Sequence, residues 1–476
     1  MVREHWPFLL ALSAIVSSRL WFAVTFPVVQ ISDYEAYYNE ARGFAGLIEP
    51  HVSALNAIGP KLVFAVWFRL VGDSLTGIGI ANTFLYATSL CLAYAGTRRI
   101  FGRTTATLVV WIGFFSLSEL YFINLASSEV LGGLFIAALY YVISFGPLSW
   151  SRTVLVGVIT GLAVYNRSNI LPIAALVLVN QLLYSEGLRR AMAKASVAQL
   201  VTLVAVLPLC FYNLSQFGRF TPLIANAEAL WYGNNPKLSG DFHAYTKVPE
   251  DYPVGSAERA ALRREFASFY TNPDSEVDFS RLNPYEVGDV KVRYALAWIA
   301  SEPVRYLSLI RARFQFLFFA CTYGEVPYRY YDLKNPAQPR WRPAHQRLME
   351  RVRMPVRSLY QFLIGSALAG LILTILRHGP LAFLRSPQGA AFLLLVYYAI
   401  PFLLTAAANR YHIPILTLAW VYLAHGVVLM GSGVRALIAR RNDARRPGSL
   451  TPTKGTLRSR GARPRSGEPL YREMET

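Results

Sequence analysis

Ser32-Asp33-Tyr34-Glu35-Ala36-Tyr37-Tyr38-Asn39-Glu40-Ala41-Arg42 follows directly on the first long apolar segment, so its acidic residues sit just past a membrane boundary. Read as a helix, the spacing puts Asp33, Tyr37 and Glu40 or Ala41 on one face and Glu35, Asn39 and Arg42 on another. A carboxylate held at a bilayer surface beside tyrosines is equipped to act as a general base on a membrane-bound substrate. The structural alternative is that Asp33 caps an interfacial helix.

The composition around this stretch is that of a membrane protein. Of 476 residues, 54% are hydrophobic and 16% charged, whereas soluble proteins carry about 25% charged residues. Several apolar runs approach the roughly 20 residues that cross a bilayer. The net charge of +19 is concentrated in the tail and in residues 329–357, which in a membrane protein favours anionic lipid headgroups over nucleic acid. Three cysteines, Cys91, Cys210 and Cys321, have no spacing that suits a disulfide framework or a zinc site.

Residues 6–29 read as an uncleaved first span, with no small-residue cleavage site after it. Arg3 places the N-terminus in the cytoplasm and Asp33 on the outer side. A polar, aromatic loop, 30–60, leads through Gly59-Pro60-Lys61 into a short apolar run ending near Gly72. Spans follow at 75–97, 105–123 and 126–145, the first two separated by the basic turn Arg98-Arg99-Ile100-Phe101-Gly102-Arg103. Residues 153–184 are too long for one straight span and break at Asn166-Arg167-Ser168-Asn169, so they read as two helices meeting at a polar break on the side of Asp33. The chain returns to the cytoplasm at Arg189, Arg190 and Lys194 and spans again at 196–214.

Residues 215–302 form the main hydrophilic region, with turns at Gly233-Asn234-Asn235-Pro236 and Asn272-Pro273-Asp274 and a helical pattern from Glu286 to Arg313. Apolar segments recur at 303–321, 357–376, 390–408 and 411–432. Arg311 and Arg313 interrupt the first of these, leaving it open between a span and a re-entrant or interfacial helix. The expected architecture is an all-α polytopic bundle of about 10–12 transmembrane helices. Its parts are an N-terminal transmembrane catalytic module, 1–214, carrying the first outer loop 30–60; a large outer loop region, 215–302; C-terminal transmembrane helices, 303–434; and a basic, disordered tail, 435–476.

Ionisable groups within such a frame cost about 2.5–3.5 kcal/mol near a helix centre, so they are functional candidates. Glu119 and Glu129 bracket the turn Asn124–Ser128, Arg167 lies in the polar break, and Arg410 sits between the last two apolar segments. All face the side of Asp33 in this topology. Snorkelling at helix ends or mutual pairing would account for them structurally. A base and an anion clamp are also what a phosphate-linked lipid donor requires.

This pattern resembles the membrane glycosyltransferases of the C-type fold, in particular the bacterial branch related to protein O-mannosyltransferases and lipid A aminoarabinose transferases. The likeness runs over residues 6–432 as short matches in order. Asp33 with Tyr37 and Ala41 is similar to the family's acidic motif in the first outer loop. Leu70-Val71-Gly72-Asp73-Ser74 followed by Arg99-Ile100-Phe101-Gly102-Arg103 looks like the family's second-helix entry and cytoplasmic turn, and Ser128-Glu129 resembles the Ser-Glu pair that starts its fourth helix. Gly161-Leu162-Ala163-Val164-Tyr165-Asn166-Arg167-Ser168-Asn169 resembles a Gly-Leu…Arg-Pro-Asn stretch. Trp231-Tyr232-Gly233-Asn234-Asn235-Pro236 and Arg410-Tyr411 with Pro414 resemble the later signatures. The chain departs from the pattern where Tyr34 and Ser168 stand in place of a second acid and a proline.

The resemblance implies an inverting transfer of a sugar from a polyprenyl-phosphate donor to a lipid, glycan or protein acceptor, on the periplasmic or extracellular side of a plasma (bacterial inner) membrane. Asp33 is then the expected base and Glu129 the second catalytic carboxylate. Glu35, Tyr37, Lys61, Arg167, Asn234, Asn235, Arg410 and Tyr411 are the expected substrate contacts, with the Gly233–Pro236 turn as part of a pocket roof. No His or Cys cluster has metal-ligand spacing, and a divalent cation, if used, would be held by carboxylates. The alternatives are a transporter or flippase of lipid-linked sugars, which needs the donor site but no base, and a non-catalytic envelope scaffold. No internal repeat of the kind transporters carry is apparent.

Overall fold

The computed structural model describes residues 2–26, 28, 30, 33–49, 53, 57–223, 228–238, 247–271, 278–320, 342–407 and 410–444. The outer parts of the basic regions, 329–341 and 445–476, lie outside these residues. The fold is all-helical. Its first half comprises α1 (Val2–Thr25), α2 (Asp33–Ala45), α3 (Ile58–Val71), α4 (Leu75–Phe115), α5 (Leu117–Phe122), α6 (Ser128–Ile143), α7 (Trp150–Val164), α8 (Ile173–Leu183) and α9 (Leu188–Phe217). The second comprises α10 (Glu228–Gly233), α11 (Ala257–Phe266), α12 (Pro284–Ser301), α13 (Pro303–Phe319), α14 (Arg342–His378), α15 (Pro380–Leu384), α16 (Pro387–Leu404) and α17 (Ile413–Ala444).

Among the described residues, six helices (α1, α4, α9, α14, α16 and α17) carry segments long and apolar enough to cross a membrane. Three shorter apolar segments, Ser128–Ile143, Trp150–Val164 and Ser168–Leu183, supplement them. This is a multi-pass membrane protein. The spans expected at 75–97 and 105–123 are the two arms of α4, which runs through the basic turn and bends at Gly102. Gly102 has φ +83°, a left-handed conformation that residues with a side chain rarely adopt. The second arm ends at Phe115, and α5 replaces the remainder of the expected span.

The expected break at Asn166–Asn169 is present: α7 stops at Val164, a 3-10 turn covers Ser168–Ile170, and α8 begins at Ile173. The helical pattern from Glu286 to Arg313 is two helices, since Pro303 cannot donate the backbone hydrogen bond that would carry α12 past Glu302. Asn283 and Glu286 form a reciprocal capping box at the start of α12. That helix packs with α10 and α11 around Trp231, Phe266 and Tyr294. The tail expected to be disordered from 435 is helical as far as Ala444, as the end of α17.

A polar web fixes the end of the bundle where α2 and α6 begin. The Gln30 side chain donates to the Asn124 carbonyl and accepts from the Ala126 amide, both at 2.9 Å. Asn124 donates to the Phe26 carbonyl at 2.7 Å, and Asn82 of α4 donates to the carbonyls of Ile123 and Leu125. Each carboxamide satisfies backbone groups that a turn inside an apolar frame would otherwise leave unpaired. The segment before Asp33 and the turn before Glu129 are thereby bound to each other. Buried Arg19 of α1 caps the end of α4 through the carbonyls of Gly113, Phe114 and Ser116.

Candidate active site

Four segments deliver four charged side chains to one cluster. Asp33 stands in the first turn of α2 and Glu129 in the first turn of α6, positions where unpaired helix N–H groups favour a carboxylate. Arg167 lies in the break between α7 and α8, and Arg410 in the turn before α17. Arg410 Nη2 donates to Asp33 Oδ2 at 2.6 Å, and its Nε lies 3.5 Å from Glu129 Oε1. Arg167 Nη2 donates to the same Glu129 oxygen at 2.9 Å and to Ser128 Oγ at 3.0 Å. The order is acid, cation, acid, cation, and the formal charges cancel. Side-chain exposure falls from 48% at Asp33 and 23% at Arg410 to 3% at Glu129. Asp33 therefore stands at the mouth and Glu129 at the base.

Aromatic side chains wall this cluster. Tyr34 accepts a hydrogen bond from Arg410 Nη1 at 2.9 Å and carries that guanidinium over its ring. Tyr37 is buried and hydrogen-bonded with Ser128; burial is the main cause pushing its hydroxyl to about 12, so it stays protonated. The Arg167 guanidinium lies 4.9 Å from the centre of the Tyr411 ring and 5.8 Å from that of Phe402. Such cation–π contacts hold a guanidinium in place where water is scarce.

The remaining expected contacts lie elsewhere. Glu35 is exposed, because two residues along a helix turns it away from the face of Asp33 and Tyr37. Lys61 is buried in an ion pair with Glu40, 2.7 Å from Oε2, so it ties α3 to α2. Asn234 and Asn235 are fully buried rather than displayed on a roof. Asn234 donates to the carbonyls of Leu230 and Thr405, and Asn235 donates to that of Trp231. Gly233 sits so close to α16 that an added Cβ would lie 1.8 Å from the Thr405 carbonyl oxygen. Glu119 is buried beside Arg19 and Tyr86, apart from the four-residue cluster.

Sequence reasoning passed over two contributors. Tyr34 appeared there only as the residue that replaces a second acid. Arg313 appeared only as an interruption; it is buried, donates to the carbonyls of Gly233, Leu403 and Leu404, and reaches Asn234 Oδ1 at 2.8 Å. The signal was the cost of a charge in an apolar helix, which carbonyl oxygens from two other segments offset.

Among the described residues, no group of three or more His, Cys, Asp or Glu side chains converges. A dication placed between Asp33 and Glu129 would meet Arg410. The donor set suits an anion: two guanidinium groups, each held by a carboxylate, with Tyr34 and Ser128 beside them.

This bundle has the fold of the C-type membrane glycosyltransferases. The likeness that shows it is to the Archaeoglobus fulgidus oligosaccharyltransferase in its apo form, with a TM-score of 0.50 at 14% identity, over 95% of this chain and 53% of the other. The chain thus spans about half the length of that enzyme. ArnT from Cupriavidus metallidurans, bound to undecaprenyl phosphate, aligns over 91% of this chain and 80% of its own, with a TM-score of 0.41 at 15% identity. No family model and no curated protein matches the sequence.

Proposed function

We propose that the chain is an inverting glycosyltransferase that moves a sugar from a polyprenyl-phosphate carrier to a lipid, glycan or protein acceptor at the outer face of a membrane. The observation that carries this reading is the alternating chain Asp33, Arg410, Glu129, Arg167, with an exposed acid at the mouth and cations behind it. Within the C-type class, the ordered sequence matches favour the branch related to protein O-mannosyltransferases and lipid A aminoarabinose transferases.

The chemistry follows from the order of charges. A phosphate entering between Arg167 and Arg410 competes for the guanidinium that now holds Asp33. The released carboxylate takes the proton of an acceptor hydroxyl. The acceptor oxygen attacks the anomeric carbon as the bond to the phosphate oxygen breaks on the opposite face, and the configuration inverts. The bonding pair leaves on the phosphate, whose charge the two guanidinium groups stabilise, so the leaving group needs no proton. Glu129 keeps both guanidinium groups aimed at the site. An apolar cavity of about 270 Å³ opens between α13, α14, α16 and α17. Ala399 and Leu403 of α16 line it, while Tyr398 and Phe402 of the same helix belong to the surroundings of Arg167. A hydrocarbon carrier in this cavity would lie against α16 on the face next to the one that meets Arg167.

The test is a transfer assay with purified protein in nanodiscs, using undecaprenyl phosphates bearing radiolabelled monosaccharides and a total lipid extract as acceptor. The expected result is release of undecaprenyl phosphate with label moved to a new product. Movement of intact donor across a liposome membrane, with no bond broken, would support a flippase and overturn the reading.

A further inference from the structure

Several buried polar atoms at and beside Arg167 are given no partner by the reaction just described. Tyr398 is 1% exposed, and its hydroxyl has no hydrogen-bond partner among the described residues. The same holds for both polar atoms of the Asn169 carboxamide and for Nε of Arg167. The segments that carry these groups, the Ser168–Ile170 turn and α16, pack against each other. Asn169 lies two residues beyond Arg167 in the polar break, and the Tyr397 hydroxyl donates to the Ile170 carbonyl, tying that break to α16. Tyr398 is within electrostatic reach of Arg167 and Glu129. Its ring centre lies 5.2 Å from that of Phe402, which Arg167 overlies. Buried polar groups in folded proteins are nearly always paired. Orphans gathered at one broken helix, next to a cation, point to a ligand.

We propose that Asn169 and Tyr398, with Nε of Arg167, form the subsite that holds the hydroxyl groups of the donor's sugar ring. This deepens the glycosyltransferase reading and rests on it. The chemistry of the orphans separates sugar from phosphate. A phosphate oxygen only accepts, so it would leave Asn169 Oδ1 unpaired. A sugar hydroxyl donates and accepts at once and can satisfy Oδ1 together with Nδ2, the tyrosine hydroxyl or the Arg167 N–H. The sugar is bonded directly to the phosphate that Arg167 would clamp, so its ring falls beside that arginine.

The test is a difference of affinities. Wild type, Tyr398→Phe and Asn169→Ala in nanodiscs are titrated with undecaprenol, undecaprenyl phosphate, and undecaprenyl phosphates bearing mannose, glucose, N-acetylglucosamine or arabinose. Wild type is expected to bind at least one sugar-bearing lipid more tightly than undecaprenyl phosphate. Each substitution should remove about three- to tenfold of that gain, the worth of one or two hydrogen bonds, with affinity for undecaprenyl phosphate unchanged. Tyr398→Phe deletes one oxygen that has no partner, so it is expected to fold even where Asn169→Ala does not. A wild type that gains nothing from any sugar, variants that keep the whole gain, or variants that lose affinity for the bare phosphate equally would each overturn the subsite. A wild type that binds undecaprenyl phosphate no better than undecaprenol would overturn the parent reading instead.

Discussion

Glu129→Gln removes the one negative charge at the base of the cluster while keeping its shape. In wild type the four charges cancel; in the variant Arg167 loses its carboxylate partner at 2.9 Å, and Arg410 keeps only Asp33. Glu129 is 3% exposed and Arg167 13% exposed, so water can screen little of the surplus charge. Removing one partner from a buried pair costs about 3–5 kcal/mol. In a chain of 476 residues that corresponds to a fall of about 3–5 °C in apparent melting temperature. The informative arm adds undecaprenyl phosphate. An anion that seats between the two guanidinium groups stands in for the missing carboxylate, so it should raise the melting temperature of Glu129→Gln by several degrees more than that of wild type. Thermal unfolding in detergent, followed by tryptophan fluorescence with lipid and with undecaprenol as blank, reads both. A variant as stable as wild type, or one that the phosphate stabilises no more than wild type, would refute the reasoning.

Arg410→Lys keeps the charge but loses the planar fork that reaches Asp33, Tyr34 and Glu129 together, so donor KM should rise by about tenfold or more; unchanged kinetics would remove Arg410 from the site. Lys61→Met leaves Glu40 buried without its partner and should cost about 3–5 kcal/mol, whereas Glu40→Met with Lys61→Met should recover most of that loss; comparing melting temperatures checks this, and equal losses would contradict the pairing. Gly233→Ala puts a methyl against the Thr405 carbonyl, an immovable backbone atom, and should lower yield and melting temperature more than Gly431→Ala, where the added Cβ meets nothing; equal behaviour of the two would contradict the close packing of α10 on α16.

The charged residues of the cluster were legible because an apolar frame makes each of them expensive. Asp33, Glu129, Arg167 and Arg410 stand out against their neighbours, and the break at Asn166 showed in a segment too long to be one helix. What the sequence concealed was pairing. Lys61 at the start of an apolar helix reads the same whether it meets a substrate or a glutamate 21 positions earlier in the chain. Asn234 and Asn235 have the composition of an exposed turn, yet their carboxamides serve backbone carbonyls inside the fold. The basic run in α4 reads as a turn between spans, but arginine is a good helix former and only Gly102 bends the helix there. Tyr34 and Arg313 act through partners hundreds or tens of residues away, which no local pattern contains.

The central claim is that Asp33, at the mouth of the cluster, is the base while the arginines behind it hold the donor. Single-turnover transfer by Asp33→Asn, with the undecaprenyl-phosphate sugar that wild type uses, tests it most directly, with Glu35→Gln as the control on the exposed face of the same helix. Asp33→Asn should bind the donor at least as well as wild type, since Arg410 loses a competing anion, while transfer falls by about 10²–10⁴. Glu35→Gln should transfer at the wild-type rate. Transfer by Asp33→Asn at the wild-type rate, with the donor bound normally, would contradict the account.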